Sequence, residues 1–487
     1  MQSLMKGLGM LKVSRVFLMA GAMLFVSGCL LGPNYQRPEQ PLPEQFTEIE
    51  GWKHAEPAEL ADKGQWWQLY QDELLTDMLH TLDASNQNLA AAEAAWREAQ
   101  AALGSTRSEL YPQLSAQGSS TRSAQGRDEI TKSSTRSAQG RDEITKNKNV
   151  QLGLSWQLDL WGQVRRQVEA GQARADASAA DWAALRLSLQ AQLVQNYIQL
   201  RTLDEQIRIV QRNLDAYARV LKITENRYQS GMVTKADTSQ ALTQLRSTEA
   251  QLLDLNSQRR RLQHSIALLL GQPATGFQLS AQAGLPAMPV LPENIPSSLL
   301  ERRPDIAAAE RRVMAANAEI GVAKTAYFPS FSLNASGGYR SEQWSGLLNT
   351  PNRFWSIGPQ FDLRLFDAGA RRARSQQALA SYDQQVAKYR QTTLEAIVEV
   401  EDALVQLLSL QDEYRVQAQA SAAAQEALQL IENQYQAGMV DFLAVSSAQT
   451  TALNAERTLL DLQARQLTAS VQLMSALGGG WHQEITE

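Results

Sequence analysis

The sequence ENRYQSGMV, at Glu225–Val233, returns almost unchanged as ENQYQAGMV at Glu432–Val440. The similarity continues beyond this pair. LLDLNSQRRRLQHSIALLLG at Leu252–Gly271 matches LLDLQARQLTASVQLMSALG at Leu459–Gly478, with the same offset of 207 residues. Two long segments in one chain that match over such a distance indicate an internal repeat.

A further pair of matching segments lies nearer the start of each repeat. LAAAEAAWREAQAALGSTRSELYPQL at Leu89–Leu114 matches IAAAERRVMAANAEIGVAKTAYFPSF at Ile306–Phe331, with an offset of 217 residues. We therefore predict two copies of one architecture, residues 80–272 and 297–479, joined by a Pro-containing linker at 273–296.

The difference between the two offsets makes the first repeat ten residues longer than the second. Its visible source is SSTRSAQGRDEITK, which occurs at Ser119–Lys132 and again, without a change, at Ser133–Lys146. The segment is polar and lacks hydrophobic periodicity, so we predict an exposed loop, where an insertion costs little free energy.

Each repeat also contains two segments with the alternation typical of β-strands. Apolar and polar residues alternate over Gln151–Trp161 and over Trp355–Leu365, and more weakly over Leu110–Gly118 and Tyr327–Tyr339. We predict strands at about 110–120, 150–161, 327–339 and 355–366.

Alternation over about ten residues fits a tilted transmembrane strand with one lipid face and one polar lumen face. On the lumen face we place Gln157, Asp159, Gln360 and Asp362. A half-buried strand of a soluble sandwich is the alternative. Four strands cannot close a barrel, and open edges are not tolerated in lipid, so a barrel would have to be shared between subunits.

Between the strands the pattern is helical. Leu193, Leu200, Ile207 and Leu214 recur every seven residues, and residues 163–228 contain no proline. At 1.5 Å per residue such a helix is about 100 Å long. We expect each long helix to turn at a glycine, Gly231 or Gly438, and a second helix to return. A solitary fibrous coiled coil would explain the helices but not the strands.

The N-terminus has the pattern of an export signal. Lys6, Lys12 and Arg15 precede an uncharged apolar run, Val16–Val26, which is too short to cross a bilayer. The run leads into Val-Ser-Gly-Cys, ending at Cys29, the only cysteine of the chain.

This end of the run resembles a lipobox. We predict a signal peptide at 1–28, lipidation of Cys29, an extended lipidated segment at 29–79 and a C-terminal tail at 480–487. An ordinary signal peptide with an incidental cysteine is the alternative.

Composition argues against several other classes of protein. The chain has 46 basic and 51 acidic residues and a formal charge of −5, which does not favour nucleic-acid binding. Its four histidines and single cysteine form no metal-ligand spacing. We find no nucleophile or phosphate-loop motif and predict that the protein is not an enzyme.

Together, several of these features closely resemble the outer membrane factor (TolC-like) family, in its lipidated OprM/NodT type. They are the lipobox, GPNYQRP at Gly32–Pro38, the duplication, ERRPDIAAAE at Glu301–Glu310 and the two YQxGMV segments. The resemblance implies a mixed α and β membrane protein. It would be a trimeric twelve-stranded outer-membrane β-barrel, four strands per chain, continued by a long periplasmic α-helical coiled-coil barrel.

The resemblance also implies a function and partners. The protein would be the outer-membrane exit duct of a tripartite efflux pump, passively conducting drugs or other small molecules. Its partners would be two further copies, a periplasmic membrane-fusion adaptor, an inner-membrane pump of the RND type and outer-membrane lipid. It would need no cofactor beyond the covalent N-acyl and diacylglyceryl lipid on Cys29. A type I protein-secretion duct and a non-conducting, lipid-anchored structural coiled coil are the alternatives.

In the family, the duct is gated where its helices turn in the periplasm. The family pattern, laid on this sequence, implies the following gate residues: Leu443, Asp441, Ser447, Asp237, Arg227 and Tyr228. Helix capping or an ordinary coiled-coil surface is the competing role for each. The residues expected to contact the adaptor are Gly231, Met232, Val233, Gly438, Met439 and Val440.

Overall fold

A computed structural model describes residues 30–39, 65–125, 143–289 and 303–479 of the 487-residue chain. The α-helices are α1 (Glu73–Ser85), α2 (Gln87–Ser108), α3 (Gln163–Gln229), α4 (Lys235–Leu269), α5 (Pro304–Thr325), α6 (Ala370–Gln436) and α7 (Phe442–Ala476). The strands are β1 (Gln113–Gln125), β2 (Glu143–Leu158), β3 (Ser330–Ser341) and β4 (Arg353–Asp362), and short 3-10 helices lie at Trp66–Tyr70 and Thr350–Asn352.

The duplication is visible in the element bounds. Helices α3 and α6 each span 67 residues and begin 207 residues apart, as do α4 and α7. Helices α2 and α5, like the first residues of β1 and β3, are 217 residues apart. The ten-residue difference therefore arises in the β1–β2 hairpin, where the sequence has the tandem repeat.

The chain divides into two compact units. The sheet unit comprises the described parts of Met1–Pro38, Arg97–Asp176 and Arg311–Ala387. The helical unit comprises those of Glu39–Trp96, Ala177–Glu310 and Lys388–Glu487.

The sheet unit holds one four-stranded antiparallel sheet with the order β1-β2-β3-β4. Its strands alternate as the sequence predicts, so one face is largely apolar and the other polar. Leu154 stands opposite Leu114 and Ala335, and on the other face Ser155 stands opposite Gln113 and Asn334. β1 and β4 are the edge strands, and each has one side without a partner in the described chain.

The strand bounds differ from the predicted ones mainly in the first hairpin. β1 reaches Gln125 and β2 begins at Glu143, so the ladder extends into both copies of the repeated segment. The pattern there is polar on both faces, which hides a strand from a hydrophobicity argument. The segment at 126–142 lies outside the described residues.

At the start of the sheet unit, the segment following Cys29 is bound by one buried guanidinium. Arg166, whose side chain is 1% exposed, donates to the carbonyls of Leu31 (3.1 Å) and Gly32 (3.3 Å) and to Asn34 Oδ1 (3.0 Å). Gly32 lies so close to Gly321 that a Cβ atom would sit 2.5 Å from its Cα. Cys29 itself lies outside the described residues.

The core of the helical unit gathers side chains that are distant in sequence. Trp66, Tyr70, Leu79 and Ile198 are at most 2% exposed and belong to one apolar cluster. Within it the hydroxyl groups of Tyr70 and Ser470 are hydrogen-bonded at 2.8 Å. None of the described helices contains a stretch long and apolar enough to cross a membrane.

Candidate functional site

The first turn between long helices joins α3 to α4 and is built by glycine and a capping box. Gly231 adopts a φ of 72°, the left-handed conformation that glycine takes without strain. Thr234 then caps α4, because its hydroxyl accepts from the Asp237 amide while the Asp237 carboxylate accepts from the Thr234 amide at 2.8 Å.

The second turn, between α6 and α7, repeats this design with a different cap. Gly438 has a φ of 76°, and the Asp441 carboxylate accepts from the Ala444 amide at 3.0 Å as the N-cap of α7. Both predicted turns therefore fall at the predicted glycines. Two of the predicted gate carboxylates, Asp237 and Asp441, have a local capping role.

Arg227 links the end of α3 to the end of α6. Its Nη2 atom donates to the Tyr435 carbonyl at 3.0 Å, and its guanidinium lies 4.4 Å from the centre of the Tyr435 ring. Tyr435 is 3% exposed and packs with Phe442 and Val445, so the arginine is seated on a small apolar cluster. This contact ties the two turns of one chain together.

The other predicted gate residues are placed differently. Asp237 bonds to Thr234 rather than to Arg227, and the Lys235 ammonium lies 5.5 Å from the centre of the Tyr228 ring. Tyr228 is 43% exposed, whereas Tyr435, its counterpart at the offset of 207, is buried. Sequence reasoning missed Tyr435. Its recurrence within the two YQxGMV segments was the available signal.

The remaining predicted residues point out of the chain. Leu443 is 60% exposed, and Ser447, one turn further along α7, is also exposed, so both lie on the same outward face. At the turns, Met232 is 69% and Met439 is 70% exposed. Apolar side chains this exposed are available to contact another copy or another protein.

On the polar face of the sheet, three of the four predicted lumen residues lie within strands. Gln157 is on β2, and Gln360 and Asp362 are on β4. The prediction for Asp159 is corrected, because β2 ends at Leu158. The Asp159 carboxylate instead accepts from the Val164 amide at 3.0 Å at the start of α3 and pairs with Arg165 at 3.1 Å.

Among the residues that the structure describes, no group of three or more His, Cys, Asp or Glu side chains could hold a metal ion. The arrangement therefore consists of surfaces. It offers a sheet with two free edges, a polar sheet face, and paired helix turns with exposed apolar tips.

Comparison with known proteins identifies the class to which this architecture belongs. The family profile of outer membrane efflux proteins matches residues 78–272 and 295–479, one match for each repeat. The chain belongs to this family and is an outer-membrane protein. The relatives are channel proteins rather than enzymes.

Individual relatives resemble the chain over nearly its whole length. It is 29% identical to the cation efflux system protein CusC of Escherichia coli O6:H1 over 464 residues, which are 94% of this chain and 97% of the relative. It is 30% identical to the pyoverdine export outer membrane protein OpmQ of Pseudomonas aeruginosa, with the same coverage. The solved outer-membrane channel OprN has a TM-score of 0.83 at 29% identity and covers 93% of this chain and 100% of its own.

Proposed function

We propose that the protein is the outer-membrane exit duct of a tripartite efflux pump. The observation that carries the proposal is the four-stranded sheet with two free edges on a chain of this family. In lipid, free backbone groups at a sheet edge cost several kcal/mol each, so the edges require partners. Three copies of a four-stranded sheet close into a barrel of about twelve strands, an even number of the kind that spans outer membranes.

The polar face of the sheet is then the lining of the duct. Gln157, Gln360 and Asp362 would project into water on this face, while Leu114, Leu152 and Trp355 on the other face would meet lipid. The duct needs only solvated side chains on its wall, and passage through it involves no chemistry on the cargo.

A lipid on Cys29 supplies a second attachment to the membrane. The N-acyl and diacylglyceryl chains would follow directly before Leu30, whose Cδ1 lies near Gly162, just past the end of β2. The hydrogen bonds of Arg166 to residues 31–34 hold this start of the chain against the sheet unit. Each buried methylene contributes about 0.8 kcal/mol, so two or three chains anchor the protein stably.

The helix turns form the periplasmic gate and the docking surface for the adaptor. Leu443 faces away from its own chain, so three copies would place three leucines around one axis. Met232 and Met439 provide exposed, adaptable apolar contacts for a membrane-fusion adaptor. Relatives of nearly equal identity are named for cations, toluene, antibiotics and pyoverdine, so we assign the choice of cargo to an inner-membrane pump, of the RND type.

The proposal is tested by measuring single-channel conductance of the purified protein in a planar bilayer and its mass in the same detergent. A trimer with discrete, small conductances is the expected result. A monomeric or dimeric protein without conductance contradicts the duct and favours a structural coiled coil. If a trimer conducts nothing, the gate variants described below distinguish a closed gate from the absence of a pore.

A further inference from the structure

The internal duplication relates the strands of the sheet by fixed offsets. In the first hairpin Gln113 stands opposite Ser155, and in the second Ser330 stands opposite Asp362. β1 residues therefore correspond to β3 residues 217 positions later, and β2 residues to β4 residues 207 positions later. The second offset equals the one that relates α3 to α6, so strand pairing and helix bounds agree.

The junction between the two hairpins lies within the chain and has a known register. The last residue of β2, Leu158, stands opposite Phe331 of β3, and both side chains are half-buried. Residues 156–158 lie beyond the end of the β1 ladder and are held by β3 alone. The chain thus shows how the second strand of one hairpin pairs with the first strand of the next.

The corresponding residues at the two edges of the sheet lack such partners. The counterparts of residues 156–158 are 363–365, which follow the end of β4 at Asp362. Leu365, the counterpart of Leu158, is 85% exposed, and Leu114, the counterpart of Phe331, is 70% exposed. The same two positions are therefore covered inside the chain and bare at its edges.

We propose that β4 of one copy pairs with β1 of the next in the register of β2 with β3, and that residues 363–365 become strand when copies associate. The proposal rests on the proposed trimeric duct and specifies its subunit contact. The register places Leu365 opposite Leu114 of the neighbouring copy, Arg364 opposite Ser115, Leu363 opposite Ala116 and Asp362 opposite Gln117.

This register keeps the two faces of the sheet continuous across the subunit boundary. Leu365 meets Leu114 and Leu363 meets Ala116 on the apolar face, whereas Arg364 and Asp362 meet Ser115 and Gln117 on the polar face. A slip by one residue would bring polar side chains to the lipid face and is excluded by burial. A slip by two residues preserves the faces, so it is the alternative that an experiment has to exclude.

Four single cysteine substitutions, combined in pairs, distinguish these registers. The pairs S115C with R364C and Q117C with D362C are directly opposite in the proposed register, whereas S115C with D362C and Q117C with R364C are displaced by two residues. Each cysteine occurs once in an opposite and once in a displaced pair, so a folding defect of one variant affects both classes equally. Cys29 is the only native cysteine, and the wild-type protein controls for it.

The geometry makes the readout specific for contacts between copies. Directly opposite Cβ atoms are about 5 Å apart and diagonal ones about 7–8 Å. A disulfide forms only when the Cα atoms are within about 7 Å. Within one chain, β1 and β4 are separated by three strand spacings, about 14 Å, so no disulfide can form between them.

Each purified variant is oxidised in detergent and separated by denaturing electrophoresis without reductant, and its mass before oxidation is measured. We expect roughly tenfold more disulfide-linked dimer and trimer from the opposite pairs than from the displaced pairs. A displaced pair that cross-links best overturns the register. A trimer that cross-links in none of the pairs overturns the strand contact while leaving the duct in place. Loss of the trimer in the wild-type protein contradicts the proposed function itself.

Discussion

At the scale of single residues, Arg303 has the most demanding position in the helical unit. Its side chain is 9% exposed and bonds to Asp305 and Glu399 at 2.7 Å and to the Ala476 carbonyl at 3.1 Å. Burial alone would lower the pKa of Arg303, but the two carboxylates raise it above its usual value. The guanidinium thereby joins the start of α5 to α6 and to the end of α7.

Replacing Arg303 with methionine should lower the free energy of unfolding by about 2 kcal/mol, because a buried carbonyl and a carboxylate lose their donor. The measurement is the thermal unfolding midpoint in detergent, followed by circular dichroism. Arg415→Met is the matched control. Arg415 pairs with Asp412, but both side chains are about three-quarters exposed, so its loss should have little effect. Equal midpoints for the two variants would contradict the assigned role of Arg303.

Tyr197 predicts a defined loss of stability in alkali. The side chain is fully buried and its hydroxyl donates to Asp72. Burial, with a smaller contribution from the Asp72 carboxylate, raises the pKa of Tyr197 from 10.0 to about 12. Because the folded state favours the neutral phenol, this contribution is complete below pH 10 and is lost as the pH rises towards 12.

Tyr197→Phe should therefore reduce the fall in unfolding midpoint between pH 10 and pH 12, although it lowers the midpoint at neutral pH by removing a hydrogen bond. Tyr111→Phe, at a side chain that is 69% exposed, is the control and should keep the wild-type pH dependence. A wild-type slope in Tyr197→Phe would show that the alkaline loss arises elsewhere.

Site residues were harder to predict from the sequence than the elements that carry them. Glycine at the two turns is required by a positive φ, a local property that the sequence shows directly. The role of Asp159 depended on where β2 ends, which an alternating pattern locates only to within a few residues. The contact of Arg227 with Tyr435 joins residues 208 positions apart, and no local pattern reports such a contact.

At the scale of elements, the duplication made most of the fold predictable. Helix lengths, turns and the number of strands follow from two matching halves, because equal sequences fold into equal elements. The β1–β2 hairpin departs from this rule, since it contains an insertion that the second half lacks. Its polar repeat gave no periodic signal, although the strands pair through residues of both copies.

That pairing predicts the result of deleting one copy of the repeat. Removing 126–139 leaves Gly-Arg-Asp between Gln125 and Glu143, which are opposite residues in the structure. A three-residue connection is a common hairpin loop, so every described pair keeps its partner. The shorter connection reduces the entropy of loop closure and should stabilise the hairpin by about 1.5 kcal/mol.

The deletion variant should form the same oligomer with the same conductance and an equal or higher unfolding midpoint. A variant in which 126–139 is replaced by fourteen Gly and Ser residues is the control for length, and it should behave like the wild-type protein. Loss of assembly in the deletion variant alone would show that the second copy takes part in folding or in a contact.

At the scale of the whole molecule, the isolated chain explains why assembly is required but not how many copies take part. Free edges at β1 and β4, and exposed residues such as Leu114, Leu365 and Leu443, all lack cover in the described chain. These features indicate association by hydrogen bonding and apolar burial. The expected number of three came from the family resemblance, since an open sheet carries no record of the ring that it closes.

The assembled gate can be tested in a way that separates charge from helix capping. Leu443→Ala should raise single-channel conductance severalfold, because it removes apolar volume at an outward-facing position of α7. Leu253→Ala, at an equally exposed leucine of α4, is the control and should leave conductance unchanged. If neither substitution alters conductance, Leu443 does not belong to the constriction.

Asp441 needs two substitutions, because its carboxylate caps α7 as well as carrying charge. Asparagine keeps the capping oxygen and removes the charge, whereas alanine removes both and costs about 1 kcal/mol of cap stability. If three carboxylates repel one another around the axis of the duct, Asp441→Asn and Asp441→Ala should change conductance and its dependence on divalent cations to the same extent. If Asp441 acts as a cap alone, only Asp441→Ala should have an effect, and it should appear as a lower unfolding midpoint. Conductance of the asparagine variant therefore decides whether this carboxylate belongs to the gate or only to the helix that carries it.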